Sequence, residues 1–141
     1  MRVLDADGHI WESEAMFAGL DPEFHPRRPV LVSMPLDTAA GDSNRPWLIE
    51  GKIAPRFSGR GATFPPSFPG SPAAATRRVS VGAQTLEDVE ARIKGIDEFG
   101  LGEQVIFPTL FLESIVYDVR LEAALYRAYN DFIAAACAKS N

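Results

Sequence analysis

Residues 3–12 read Val-Leu-Asp-Ala-Asp-Gly-His-Ile-Trp-Glu, and this stretch decides how the whole chain is interpreted. Its apolar start predicts a short buried strand. Residues i and i+2 of an extended chain point to the same side, so Asp7 and His9 are expected to converge while Gly8 leaves the opposite side free. Carboxylate oxygen and imidazole nitrogen both suit zinc and related divalent ions, which makes the pair a candidate half of a metal site. The alternative is a strand that ends in an Asp-Gly turn and carries a surface histidine.

The composition is that of one globular domain. The chain has 141 residues, of which 46% are hydrophobic and 23% charged. A net charge of −5 provides no basic field for nucleic acid or an anionic membrane. No apolar run approaches the roughly 20 residues of a membrane span, and no signal-peptide pattern precedes the first strand. Cys137 is the only cysteine, so an internal disulfide is excluded and the cytoplasm is the default compartment.

The first half of the chain alternates short elements with turns. A short helix is expected from residue 13 or 14 to Leu20, and residues 21–29, with three prolines, predict a turn-rich connector. Residues 30–34 predict a short extended run. Two apolar segments around Glu50-Gly51 predict a hairpin. Residues 57–75 are rich in Gly, Pro and Ser and predict a long loop.

The second half predicts helix, strand and helix. Thr85 is expected to cap a helix whose apolar stripe ends before Gly100, a residue suited to a left-handed C-terminal cap. Residues 103–108 predict a strand with a proline stop. A long helix is expected from about Asp118 to Ala138, with apolar residues on one face. A helix that runs into a strand through a glycine is half of a βαβ unit.

Several motifs in this order resemble the N-terminal part of an amidohydrolase of the amidohydrolase-2 group, whose members are related to aminocarboxymuconate-semialdehyde decarboxylase. The resemblance covers most of the chain except a variable loop from about Val30 to Arg78. It is carried by residues 5–12, 88–100, 104–109 and 126–132.

The resemblance implies an α/β fold, a (β/α)8 TIM barrel with one divalent metal, usually zinc and sometimes manganese or magnesium. Asp7 and His9 match the two first-strand ligands of the family, which are separated by one residue. The family reaction is water-assisted hydrolysis or non-oxidative decarboxylation of a small carboxylic or aromatic acid. Active sites of such barrels lie at the C-terminal ends of the strands.

The chain departs from this pattern in length and in ligands. A full barrel takes roughly 250 residues, whereas this sequence predicts the first two βα units plus a long inserted loop with a hairpin. The family's middle-barrel His and late Asp have no counterpart, since the other histidine, His25, lies in a proline-rich segment where a loop role is expected. We therefore expect residues 1–141 to be part of one barrel domain, with an insertion at about 21–84, and to be inactive alone.

Two parallel strands cannot close a barrel and would leave apolar edges unpaired. The expected partner is a second polypeptide, or a missing C-terminal segment, that completes the barrel and makes the assembly an oligomer. A non-catalytic structural or regulatory partial-barrel subunit is the alternative function.

The candidate substrate-binding residues each have a second interpretation. Glu12 follows the ligand pair but also suits a capping or surface role, and Trp47 suits a packing anchor. Arg60 is a candidate to present its guanidinium to a substrate carboxylate, and the alternative is an arginine of a loop with no such role. The segment after the second strand supplies the remaining candidates at the C-terminal end, although a residue such as the last of them is more often part of the core: Pro108, Thr109 and Phe111.

Overall fold

A parallel pair of strands with helices between and after them organises the molecule. The computed structural model describes residues 3–35, 37, 45–54 and 79–140. Strand β1 (Leu4–His9) pairs in parallel with β5 (Glu103–Phe107), and α1 (Val81–Thr85) and α2 (Val89–Glu98) connect them on the chain. Helix α3 (Val119–Cys137) follows β5. This order confirms the mixed α/β class and the predicted helix–strand–helix half.

The segment between β1 and α1 forms a small antiparallel sheet. It contains β2 (Val30–Leu31), β3 (Trp47–Ile49) and β4 (Lys52–Ala54), in that spatial order. The β3–β4 hairpin is confirmed at Glu50 and Gly51, which have φ angles of 49° and 76°. Two consecutive positive φ values are those of a type I′ turn, whose twist matches that of paired strands.

The connector over residues 21–29 was predicted as turns, and this is wrong for most of it. Residues Pro22–Arg27 form a 3-10 helix, after an earlier 3-10 helix at Glu14–Gly19. Proline at the first helical position costs no hydrogen bond, because that amide has no partner inside a helix. The Phe24 amide donates to Asp21 O at 2.9 Å, and the Phe24 side chain is buried.

The predicted cap of the helix before β5 is also wrong by three residues. Thr85 is the last residue of α1, and Leu86, with φ 60°, interrupts the helix. Asp88 is the N-cap of α2, with its Oδ1 accepting from the Ala91 amide at 2.9 Å. Aspartate caps at least as well as threonine, so the later residue sets the start. Gly100, with φ 71°, lies just after α2 as expected.

Helix α3 supplies much of the core and agrees with its predicted bounds within one residue at each end. Asp118 Oδ1 accepts from the amides of Arg120 and Leu121, and the helix packs against the 3-10 helix Glu14–Gly19. Its buried face contains Leu121, Ala124, Leu125, Ala128, Tyr129 and Ala136. Three aromatic side chains continue the core towards the small sheet: Phe17, Trp47 and Phe111.

The apolar start of β1 is not buried in the part of the chain that the structure describes. Leu4 is 55% exposed, and Val105 and Phe107 of β5 are also exposed. Among the residues that the structure describes, β1 and β5 pair only with each other. Among the described residues, none of the helices is long and apolar enough to cross a membrane.

Candidate metal centre

A β-bulge between Asp5 and Gly8 includes Asp7, the first residue of the predicted ligand pair. Asp5 pairs with Gln104 and Gly8 pairs with Ile106, so β1 has one residue more than β5 over this interval. The Asp5 carboxylate stabilises the bulge, because its Oδ1 accepts from the Asp7 amide at 3.1 Å. Bulges redirect side chains and are common beside functional sites.

Asp7 and His9 lie side by side at the C-terminal end of β1. The distance from His9 Nε2 to Asp7 Oδ1 is 3.4 Å, and the two side chains are 39% and 86% exposed. Two ligands of a tetrahedral metal, each about 2.0–2.2 Å from the ion, are separated by about 3.4 Å. The pair therefore has a spacing that fits a shared divalent ion.

The ring of His9 is oriented by the strand next to it. Its Nδ1 lies 2.9 Å from the carbonyl oxygen of Pro108. A carbonyl only accepts, so Nδ1 is the donor, and the lone pair of the neutral ring is on Nε2, the atom that faces Asp7. Metal-binding histidines usually donate their second nitrogen in this way. The donor set, a carboxylate and a neutral imidazole, fits zinc.

The other histidine is used differently. His25 Nε2 lies 2.7 Å from Leu20 O, within the segment of 3-10 helices. Among the residues that the structure describes, no group of three or more His, Cys, Asp or Glu side chains is placed to hold a metal. Structural zinc sites take four ligands from protein and catalytic sites usually three, so the Asp7–His9 pair falls short of either number.

Glu12 joins the segments that follow the two parallel strands. Its side chain is 1% exposed, and its two oxygens accept from the amides of Thr109 and Leu110 at 2.8 and 2.9 Å. Burial raises the pKa of this carboxyl above its ordinary value, although the amide hydrogen bonds oppose the shift. Burial, with a smaller effect of the nearby Glu12 carboxylate, raises the pKa of Tyr129 to about 12.

The other predicted substrate residues occupy different environments. Thr109 Oγ1 donates to Ile10 O at 2.6 Å, and Pro108 accepts from His9. The ring of Phe111 is buried between Phe17, Tyr126 and Tyr129. Trp47 is 2% exposed and packs edge-on against Phe17. Arg60 lies outside the described residues, as does the predicted loop over residues 57–75.

A cavity of about 340 Å³ lies beside these segments. Three of the predicted residues line it, namely Glu12, Trp47 and Thr109. Trp11, Glu113 and Ser114 are also among its lining residues. Substrate contact by any of these side chains stays a prediction.

Sequence reasoning missed the polar contacts beneath the pair. Arg92 of α2 donates to the side chain of Gln104 and to the carbonyl oxygen of His9. Gln104 in turn donates to Asp5. A signal was present, because Arg92 falls between Val89, Ile93 and Ile96 on a stripe where an apolar residue is expected.

The expected role of Gly8 has a specific physical basis in this structure. A Cβ atom added at Gly8 would lie 2.5 Å from Gln104 Cγ and Cδ. The absent side chain is what allows Gln104 to cross β1 and reach Asp5.

With this geometry established, the fold has a counterpart among solved structures. The chain is similar to the crystal structure of an amidohydrolase from Mycobacterium avium subsp. paratuberculosis K-10, with a TM-score of 0.61 and 21% sequence identity. The two proteins share a fold over the matched residues. The match covers 94% of this chain but only 37% of that amidohydrolase. No protein-family model and no curated protein matches the chain.

Proposed function

We propose that this chain is the N-terminal portion of a metal-dependent amidohydrolase-like enzyme, close to the aminocarboxymuconate-semialdehyde decarboxylase group. The proposed reaction is hydrolysis or non-oxidative decarboxylation of a small carboxylic or aromatic acid. The observation that carries the proposal is the 3.4 Å separation of His9 Nε2 and Asp7 Oδ1, with the opposite ring nitrogen bound to Pro108 O. The amidohydrolase-like fold supports it independently.

Asp7 and His9 are the proposed ligands of a divalent ion, zinc before manganese or magnesium. When bound, such an ion supplies polarisation of a substrate oxygen or acidification of a water molecule. Asp7 contributes negative charge, and His9 contributes a neutral nitrogen whose direction is set by its hydrogen bond to Pro108 O.

The remaining ligands are proposed to come from further protein, either a second polypeptide or a C-terminal segment, which would complete a (β/α)8 barrel. Two observations support this proposal. The similar amidohydrolase is much longer than the part matched here, and the apolar residues Leu4, Val105 and Phe107 of the parallel pair are exposed. In this proposal residues 1–141 are one incomplete barrel domain with an insertion at about 21–84, and the assembly is oligomeric if the complement is a separate chain.

The cavity beside Glu12 is proposed to receive part of the substrate. Its volume of about 340 Å³ is at the lower end of the range for small-molecule sites. Trp11 and Trp47 contribute aromatic surface, and Thr109 and Ser114 contribute hydroxyl groups. An aromatic acid matches this combination of flat apolar and polar surfaces.

Zinc binding by the chain tests the proposal. Zn²⁺ is titrated into isotope-labelled protein while the ring nitrogens of both histidines are followed by NMR. We expect saturable binding that shifts His9 Nε2, is weak because only two ligands are present, and is lost in Asp7→Asn and in His9→Gln. The matched controls His25→Gln and Asp97→Asn are expected to bind as the wild type does.

Two results would contradict the proposal. One is zinc binding that persists in His9→Gln, and the other is a completed assembly that contains no divalent ion by elemental analysis. The second result would favour a non-catalytic structural or regulatory subunit.

A further inference from the structure

The backbone of the ligand pair is held from both sides by one chain of hydrogen bonds that begins at Arg92. Arg92 Nη2 donates to His9 O at 3.1 Å and to Gln104 Oε1 at 2.7 Å, while its Nε also donates to Gln104 Oε1 at 3.0 Å. The remaining nitrogen, Nη1, lies 3.4 Å from Ala83 O in α1. One guanidinium thus connects two helices to both parallel strands.

Gln104 extends this chain to the other end of the pair. Its Nε2 donates to Asp5 Oδ2 at 2.5 Å, and the second oxygen of Asp5 accepts from the Asp7 amide. The segment Asp7-Gly8-His9 is therefore fixed at its first amide through Asp5 and at its last carbonyl through Arg92. These two contacts hold the bulge that aims both side chains.

The hydrogen bonds of Arg92 and Gln104 carry a cost in folding free energy, which indicates that they serve more than stability. Arg92 is partly buried, so its charged guanidinium carries a desolvation cost. An apolar residue at this position on the stripe of α2 would avoid that desolvation cost. Gly8 is also needed to leave room for Gln104, and glycine in a strand interior is itself unfavourable.

We propose that Arg92 and Gln104 are positioning residues that set the relative orientation of Asp7 and His9 for a shared metal ion. The role of the metal ion rests on the proposed function. The orientation of Asp7 and His9 by Arg92 and Gln104 applies to the metal-free chain as well. Metal ligands must be held within about 0.5 Å of their productive positions. Side chains at the end of a strand are not held this closely unless other groups fix the backbone there.

The test uses four variants with two kinds of measurement. Arg92→Met and Gln104→Met remove the contacts at nearly constant side-chain volume. Arg92→Lys keeps the positive charge but not the several donors of the guanidinium. Lys94→Met is the control, because it removes an exposed charge from the same helix. Zinc affinity is measured by titration. Independently of any metal, the tautomer of His9 and the hydrogen exchange of the Asp7 amide are measured by NMR.

We expect Gln104→Met and Arg92→Met to bind zinc about 10–100-fold more weakly than the wild type, the range for residues that orient metal ligands. Arg92→Lys should recover part of the loss, and Lys94→Met should match the wild type. In the metal-free protein, the Asp7 amide should exchange faster in Gln104→Met, and Arg92→Met should show a mixed His9 tautomer.

Folded variants with unchanged zinc affinity, His9 tautomer and Asp7 exchange would overturn the positioning role. If Arg92→Met does not fold, Gln104→Met still decides, because it leaves the Arg92–His9 contact in place. If the wild type binds no zinc, the proposed function fails, while the metal-free NMR measurements alone support or overturn the positioning role.

Discussion

His9 Nδ1 lies 2.9 Å from the carbonyl oxygen of Pro108, so the last residue of β1 is bound to the residue that follows β5. This contact joins positions that are 99 residues apart in the sequence. It also determines which nitrogen of the ring is available to a ligand. The orientation of the candidate site is thus a property of the strand pair.

The two histidines should be opposite tautomers. His9 donates from Nδ1 to Pro108 O, whereas His25 donates from Nε2 to Leu20 O, since both partners are carbonyls. Long-range nitrogen–carbon NMR correlations in alkaline buffer, where imidazoles are neutral, distinguish the two forms. The same tautomer in both rings would contradict the orientation on which the metal-site proposal depends.

Replacing Gly8 by alanine should destabilise the protein by about 1–3 kcal/mol, as overpacking does. The new Cβ would meet the Gln104 side chain, which is held by Arg92 and Asp5 and cannot move without breaking those contacts. Urea unfolding measures the change. Gly19→Ala is the matched control, because nothing lies within 4 Å of its added Cβ.

A double variant checks the cause. Gly8→Ala combined with Gln104→Ala should be less destabilised than the sum of the two single variants. Strict additivity would mean that the clash with Gln104 is not the source of the loss.

Glu12→Gln should lower the free energy of unfolding by about 1–3 kcal/mol at neutral pH. The amide side chain turns a donor towards one of the two backbone N–H groups that Glu12 accepts from, leaving it unsatisfied. Urea unfolding of both proteins measures the difference, and Glu14→Gln serves as a control with a more exposed carboxylate.

The same pair of proteins should also differ in pH dependence. The folded-state pKa of Glu12 is raised, so the folded chain binds its proton more tightly than the unfolded chain does. The wild type should therefore lose stability relative to Glu12→Gln as the pH rises from the ordinary glutamate range through the raised pKa. A stability difference that does not change with pH would contradict the burial effect.

Arg27 should give the protein acid-sensitive stability of the opposite sign. Its guanidinium contacts Glu50 at 2.7 Å and Asp118 at 2.6 Å, and these hydrogen bonds lower the pKa of both carboxyls. Groups with lowered folded pKa values stabilise above their unfolded pKa, and the effect is lost as the pH falls through the folded value. Arg27→Met should thus be less stable than the wild type at neutral pH and converge with it in acid.

Urea midpoints measured across this pH range test the expectation, and added salt should reduce the difference because the groups are near the surface. Arg28→Met is the matched control, since the Arg28 side chain donates to the carbonyl oxygen of His25 and not to a carboxylate. A gap between wild type and Arg27→Met that persists in acid would rule out an electrostatic origin.

The sequence predicted those helices and turns that are determined by residues close together in the chain. The period of apolar residues located α3, and Glu50-Gly51 located the hairpin, because both signals act within a few residues. The closeness of Asp7 and His9 was predicted from the alternation of side chains along a strand, whereas the bulge that includes Asp7 was not predicted. The start of α2 was misplaced because Thr85 and Asp88 are both good caps, and the left-handed Leu86 that decides between them has no signature in its side chain.

What the sequence could not supply are contacts between distant positions. Glu12 as an acceptor for residues 109 and 110, and Arg92 as a donor to His9, depend on the pairing of β1 with β5. An arginine in an apolar stripe indicates a buried polar partner but does not identify it. The bulge at Asp5 is invisible for the same reason, since it is defined only relative to the partner strand.

The carboxylate of Glu12 has a mechanical consequence. Because each of its oxygens accepts from a different amide of the segment after β5, the segments that follow β1 and β5 cannot separate without breaking two hydrogen bonds at once. Thermal motion at this end of the molecule should therefore carry these two segments together as one body.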